Sequence, residues 1–153
     1  MDRIIIVFAL VVMVLVGFGE VSAQNKEAEE NRIALEKSVN ETPSAWKQIA
    51  SGVNGSIYQA DAEFVAKEIV DGETPIVIVY YRENTEMGLS KYYVILGNCD
   101  TNKVLIKEIL RGNTSATGKI SLTHVSRQTE SHTAKKGQVI WEILKFGCLQ
   151  EVK

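Results

Sequence analysis

Two cysteines, two histidines and almost no net charge leave this chain of 153 residues short of most of the groups that reveal chemistry from sequence. Lys and Arg number 17 against 19 Asp and Glu, a formal net charge of −2. That balance recommends neither nucleic acid nor an anionic membrane as partner. His124 and His132 straddle a strand end and a loop, and His124 continues the face of Ile120 and Leu122, where a strand-end histidine sits partly in water. With both cysteines committed to each other, neither a Cys–His nucleophile nor a Cys–His zinc site can be built. The run from Gly112 to Lys119 superficially resembles a phosphate loop, but it has one residue too many between its glycines, and Ile120 stands where the magnesium-binding hydroxyl belongs. Asp61/Glu63 and Glu83/Glu86 read as solvated surface carboxylates. No catalytic set, metal or cofactor is expected.

What is present begins with an address. Arg3 precedes an unbroken apolar run from Ile4 to Phe18, Gly19 and Glu20 break it, and Val21-Ser22-Ala23 offers small residues to a signal peptidase. Residues 1–23 therefore read as a secretory signal peptide, cleaved between Ala23 and Gln24. The alternative is an uncleaved anchor, but 15 residues at helical rise span about 22 Å, short of a hydrocarbon core of about 30 Å. No cysteine follows the run, so there is no lipoprotein attachment site, and the mature chain is expected to be periplasmic or secreted, with no stable membrane insertion after cleavage. Export also bears on Cys99 and Cys148. Two thiols in an oxidising compartment pair, whereas in cytosol they would stay free. Asn40, Asn54 and Asn113 open glycosylation-type sequons, which matter only in a host with that machinery.

The mature chain divides into a charged linker or loose helix over 24–43 and a single α+β domain over 44–153. Residues 24–40 are good helix formers, but Ile33, Ala34, Leu35 and Val39 give little apolar face for docking. From Trp46 onward the chain reads as short strands separated by turns: 45–50, 56–59, 67–70, 76–81, 91–99, 103–111 and 118–126. Residues 61–65 are ambiguous, a helical turn that tucks Phe64 inward being one option. Asp71-Gly72 marks a hairpin turn, and Gly112-Asn113 another turn. In the strand over 91–99, Tyr93, Ile95 and Cys99 share one face and Tyr92, Val94 and Leu96 the other, so both faces need cover. Residues 128–136 are polar and break the pattern. Over 138–150 the alternation fails, and Val139, Ile140, Ile143, Leu144 and Phe146 fall within one helical arc, with Thr133 as a plausible N-cap and Gly137 and Gly147 weakening each end. The architecture expected is a small antiparallel sheet of about six strands, with a C-terminal helix packed on it and tied by a Cys99–Cys148 disulfide. Lys119, Ser121 and Thr123 mark a solvent-facing edge strand, whose pairing with a second copy would make a weak homodimer.

Trp46 near the domain start, Ser56-Ile57-Tyr58-Gln59-Ala60-Asp61, Tyr93-Val94-Ile95-Leu96-Gly97-Asn98-Cys99-Asp100 and a closing Cys148 together resemble the surface-adhesin protein E family of small exported bacterial proteins. The resemblance covers about 44–148. It implies the same disulfide-held sheet and helix, and a non-enzymatic role in binding host extracellular-matrix or plasma proteins; no ligand contact carries over residue by residue. The expected function is thus an exported protein-binding module, with a cell-envelope or host protein as partner. The alternative is a periplasmic inhibitor or accessory factor, which would insert the polar loop from Asn84 to Ser90 into a partner's cleft. A carboxylate hydrolase is the third class.

Overall fold

β-Branched and aromatic residues dominate the centre of the chain, and there the strands are longest and most regular. The structure, a computed structural model, describes residues 21–72, 74–85, 88, 90–126 and 131–150. A helix α1 (Val21–Glu41) and a 3-10 turn (Pro43–Ala45) lead into β1 (Trp46–Ser51), β2 (Ile57–Val70), β3 (Thr74–Asn84), β4 (Ser90–Asn98), β5 (Lys103–Thr114), β6 (Ile120–Ser126) and β7 (Ser131–Thr133), and α2 (Val139–Leu149) ends the fold. All pairings are antiparallel, in the order β1-β2-β3-β4-β5-β6, and β7 joins the near end of β5. The β3–β4 ladder runs unbroken from Ile76↔Asn98 to Asn84↔Ser90. Its alternation builds both cores at once, as expected. Ile78, Tyr80, Tyr92 and Val94 face one way, and Val77, Val79, Tyr81 and Ile95 the other.

Helix α2 covers the second face. Ile143 and Leu144 are fully buried there, and Cys148 in its last turn is bonded to Cys99 just past β4, with Cα atoms 5.8 Å apart. Gly147, which in sequence only weakens a helix, is what lets this one lie close: a Cβ there would stand 2.4 Å from Val79 Cγ2. Lys67 Nζ donates to the Cys148 carbonyl at 2.9 Å, supplying a partner to one of the carbonyls that a helix end leaves unbonded. Thr133 is not the N-cap. It lies in β7, which the polar run over 128–136 concealed, and Gln138 takes the cap position without a side-chain bond.

The first face is covered by α1: of the two expectations, linker or loose helix, the structure has the helix, and it is docked rather than loose. The segment is one continuous helix whose Ala28, Leu35 and Val39 are buried. It docks largely through polar groups. The Asn40 side-chain amide accepts from Ile120 N–H at 2.9 Å and donates to Ile120 C=O at 2.8 Å, and Glu36 Oε2 accepts from Leu122 N–H at 3.0 Å. These backbone groups belong to the outer edge of β6. The side chains of α1 therefore cover the Ile120–Leu122 part of the edge that was expected to face solvent. Ala23 and Gln24, the expected cleavage pair, are consecutive residues near the start of α1, and residues 1–20, the body of the expected signal peptide, lie outside the described residues.

Three further expectations change. The strands read at 56–59 and 67–70 are one strand, β2, whose register jumps from Ala60↔Tyr81 to Val65↔Val79. Within that bulge the amides of Glu63 and Phe64 lose ladder partners and donate instead to Asp61 Oδ1, at 2.9 and 3.2 Å. Phe64 does turn inward, stacked on Tyr80 with ring centroids 4.3 Å apart. Asp61 is not a surface carboxylate but is 1 % exposed. Its Oδ2 accepts from the Ser38 hydroxyl of α1, which in turn accepts from Trp46 Nε1 at 3.1 Å. Gly112-Asn113 is not a turn either, since β5 continues to Thr114 and the chain reverses over 115–118.

Cys148→Ser should lower stability by about 2–5 kcal/mol, and hydrogen exchange should show α2 loosening before the β3–β4 ladder. Asn40→Ala should cost about 1–3 kcal/mol, because it leaves the Ile120 edge groups without partners. It should also induce concentration-dependent self-association in sedimentation, by reopening the β6 edge.

Candidate functional site

The α1-facing side of the sheet changes chemistry along its strands. In β3 the alternation that presents Ile78 and Tyr80 to the helix continues as Arg82 and Asn84. Their β4 partners are Tyr92 and Ser90, and β5 contributes Gly112 and Thr114. Helix α1 ends at Glu41, with Asn40 on Ile120, so the polar end of this face is left open. There a cleft of about 370 Å³ is lined by these residues together with Gly88, Asn113 and Ile120. Tyr92, 2 % exposed, provides an apolar wall. Gly112 has to lack a side chain, because a Cβ would meet the Tyr92 ring at 2.6 Å.

The polar lining is wired into one network. Gln59 of β2 is the common acceptor: its Oε1 takes Arg82 Nε at 2.8 Å and Asn84 Nδ2 at 3.0 Å. Ser90 Oγ then donates to Asn84 Oδ1 at 2.7 Å. The Arg82 guanidinium lies over Trp46, 5.0 Å from the ring centroid, a cation–π contact worth about 0.5–2 kcal/mol. Trp46 is held edge-on to Tyr92 at 6.1 Å and tethered through Ser38. The arginine is thus fixed on two sides by groups that carry no charge. Among the described lining residues it is the sole formal charge, and no carboxylate is present.

Other titratable groups gather elsewhere. On the opposite face, Tyr81 and Tyr93 stack at 4.5 Å, and Tyr93 donates its hydroxyl to Glu83 Oε2 at 3.3 Å. Burial pushes both phenols well above their ordinary range, the neighbouring tyrosines and Glu83 adding to it, and burial beside Glu83 also raises Tyr58. His124 Nδ1 lies 3.3 Å from the buried Glu108 carboxylate, while His132 stands in β7 opposite Val104. The two histidines are not brought together, and among the described residues no group of three or more His, Cys, Asp or Glu could hold a metal ion. No described helix is long and apolar enough to cross a membrane. Asn84 and Ser90, which bound the loop expected to enter a partner's cleft, are bonded to each other at the strand ends, and residues 86, 87 and 89 between them lie outside the described residues.

Sequence reasoning did not find the cleft. The signal was there in part, since Arg82 and Asn84 follow Ile78 and Tyr80 at strand period. Gln59 and Trp46, which orient them, are distant in sequence. Compared with known proteins, the chain matches no family model, no curated protein and no solved structure.

The tyrosine cluster carries a pH dependence. Phenols in an unfolded chain ionise near pH 10, while Tyr58, Tyr81 and Tyr93 hold their protons to higher pH in the fold. Above about pH 10 the unfolded state therefore binds fewer protons, and stability falls as pH rises. Denaturant titrations should show full stability at pH 8–9 and a progressive loss above about pH 10, with phenolate absorbance from Tyr81 appearing only as the chain unfolds. Tyr81→Phe should flatten that decline.

Proposed function

We propose that this chain is an exported, non-enzymatic binding module for a protein partner, and that the cleft around Arg82 is its contact surface. The observation that carries this reading is the cleft's lining: one oriented guanidinium with amide and hydroxyl groups beside an apolar ring. Such a set holds a ligand by hydrogen bonds and charge. The His124–Glu108 pair lies outside it. The Cys99–Cys148 bond suits an oxidising compartment, in keeping with a leader over 1–23 and a periplasmic or secreted address. The residues that resemble the surface-adhesin protein E family favour a host matrix or plasma protein as the partner. The alternative, a periplasmic inhibitor or accessory factor, would act through the loop between Asn84 and Ser90, whereas the reading preferred here rests on the concavity lined at the ends of β3 and β4.

The test is a binding panel: the mature chain is immobilised and titrated with purified matrix, plasma and cell-envelope proteins, beside Arg82→Ala. The expected result is saturable binding to at least one partner, weakened tenfold or more by Arg82→Ala, about 1.4 kcal/mol or greater. Binding that leaves Arg82 indifferent would move the contact surface elsewhere, and turnover of a bound partner would overturn the non-enzymatic reading.

A further inference from the structure

The identity of the group received follows from how Arg82 is held. Its Nε is taken by Gln59, and its face lies on Trp46. None of the ion pairs among the described residues involves it. It is half-buried near the end of β3, so it is partly removed from water with no counter-ion among the described residues. The guanidinium is a planar fork whose two terminal nitrogens match the two oxygens of a carboxylate. With Nε engaged, that terminal end remains for pairing. The second Nδ2 hydrogen of Asn84 and the Thr114 hydroxyl are further donors in the same lining, while Ser90 gives its proton to Asn84.

We infer that the cleft is a carboxylate receptor: it takes a single ionised carboxylate of a partner polypeptide, with Arg82 as its end-on counter-ion. The inference rests on the cleft reading above and narrows it to one chemistry. Charge selects a monoanion. A phosphate group carries up to two negative charges and is ordinarily met by more than one cation or by a row of backbone amides, and the described lining offers one guanidinium. The size suits a short piece of polypeptide. At about 370 Å³ the cleft lies at the small end of ligand pockets, which run from about 300 to 1,000 Å³. The wall of Tyr92 and Ile120 gives the methylene stem or backbone behind the carboxylate an apolar surface to rest on. Fixing Arg82 in advance lowers the conformational entropy lost on binding. An acidic side chain and a free chain terminus share this chemistry, and the experiment separates them.

The mature chain is titrated by NMR with four probes. These are an acetylated and amidated alanine peptide carrying one Glu, the same peptide with Gln, an acetylated alanine peptide with a free C-terminal carboxylate, and inorganic phosphate. Wild type, Arg82→Ala and Arg82→Lys are compared, each shown to be folded by its spectrum. The expected result is saturable shifts at Ser90, Tyr92 and Thr114 with one or both carboxylate peptides, at about millimolar affinity. Arg82→Ala should weaken binding tenfold or more, with only partial recovery in Arg82→Lys. Response to the Glu peptide alone assigns an acidic side chain, and response to the free terminus alone assigns a chain end. Equal binding of the Gln peptide, tighter binding of phosphate, or carboxylate binding unchanged in folded Arg82→Ala would each overturn the inference. If the protein partner depends on Arg82 while no carboxylate peptide binds, the receptor inference falls and the cleft reading stands. If neither depends on Arg82, both fall.

Discussion

The buried carboxylate of Asp61 is the constraint that the rest of the structure must satisfy. A charge removed from water is tolerated only where donors replace its hydration. Asp61 finds them in the Ser38 hydroxyl and in two amides of its own strand. Those amides are free for it only because β2 bulges, so the irregularity and the carboxylate require each other. Ser38 arrives on α1, and its oxygen also fixes the Trp46 indole. Three successive elements, α1, β1 and β2, are therefore compelled to meet around one side chain. The dependence runs on, because Trp46 is the platform for Arg82, Arg82 shares Gln59 with Asn84, and Asn84 holds Ser90. A continuous set of contacts joins the core to the cleft.

The two helices cover the two faces by different physics. Helix α2 is apolar on its sheet side and docks by burial, brought close by Gly147 and fastened covalently at Cys148. Helix α1 has few large apolar residues to bury. Its hold comes from Leu35 and Val39 together with Ser38, Asn40 and Glu36, which give partners to groups the sheet would otherwise leave unpaired. Lys107 pairs with Glu27 to bring the first half of α1 onto β5. Polar docking of this kind depends on position more than on area, since each bond requires its own register.

That contrast accounts for what could be read from the sequence. The division of β4 into a Tyr93/Ile95 face and a Tyr92/Val94 face, the C-terminal helix and the Cys99–Cys148 pairing all follow from periodicity and from cysteine arithmetic. Hydropathy sees burial, and those elements are held by burial. It does not see Asn40 acting as a strand edge, Asp61 accepting from a bulge, or Gly147 serving as a point of contact. In hydropathy alone the three pass for linker, surface and weakness. Strand β7 was concealed because its three residues are all exposed and its signal is only a pairing with Lys103–Leu105. For the cleft, strand period places Arg82 and Asn84 on the face of Tyr80, but Gln59 and Trp46 come beside them only through the β1–β2 and β2–β3 registers.

The cleft lies where it does because α1 ends where it does. Both halves of the sheet face belong to the same strands. The half beneath Leu35 and Val39 is apolar, and the half past Asn40 is polar. Trp46 stands at the boundary, its ring edge toward Tyr92 in the core and its face beneath Arg82 in the cleft. Undocking α1 would remove Ser38 from the indole and so unfix the platform under the guanidinium. A ligand that binds the ordered arginine better than the disordered one must, by linkage, also favour the docked helix. One tryptophan thus ties the docked position of α1, and with it the covered part of the β6 edge, to the platform under Arg82.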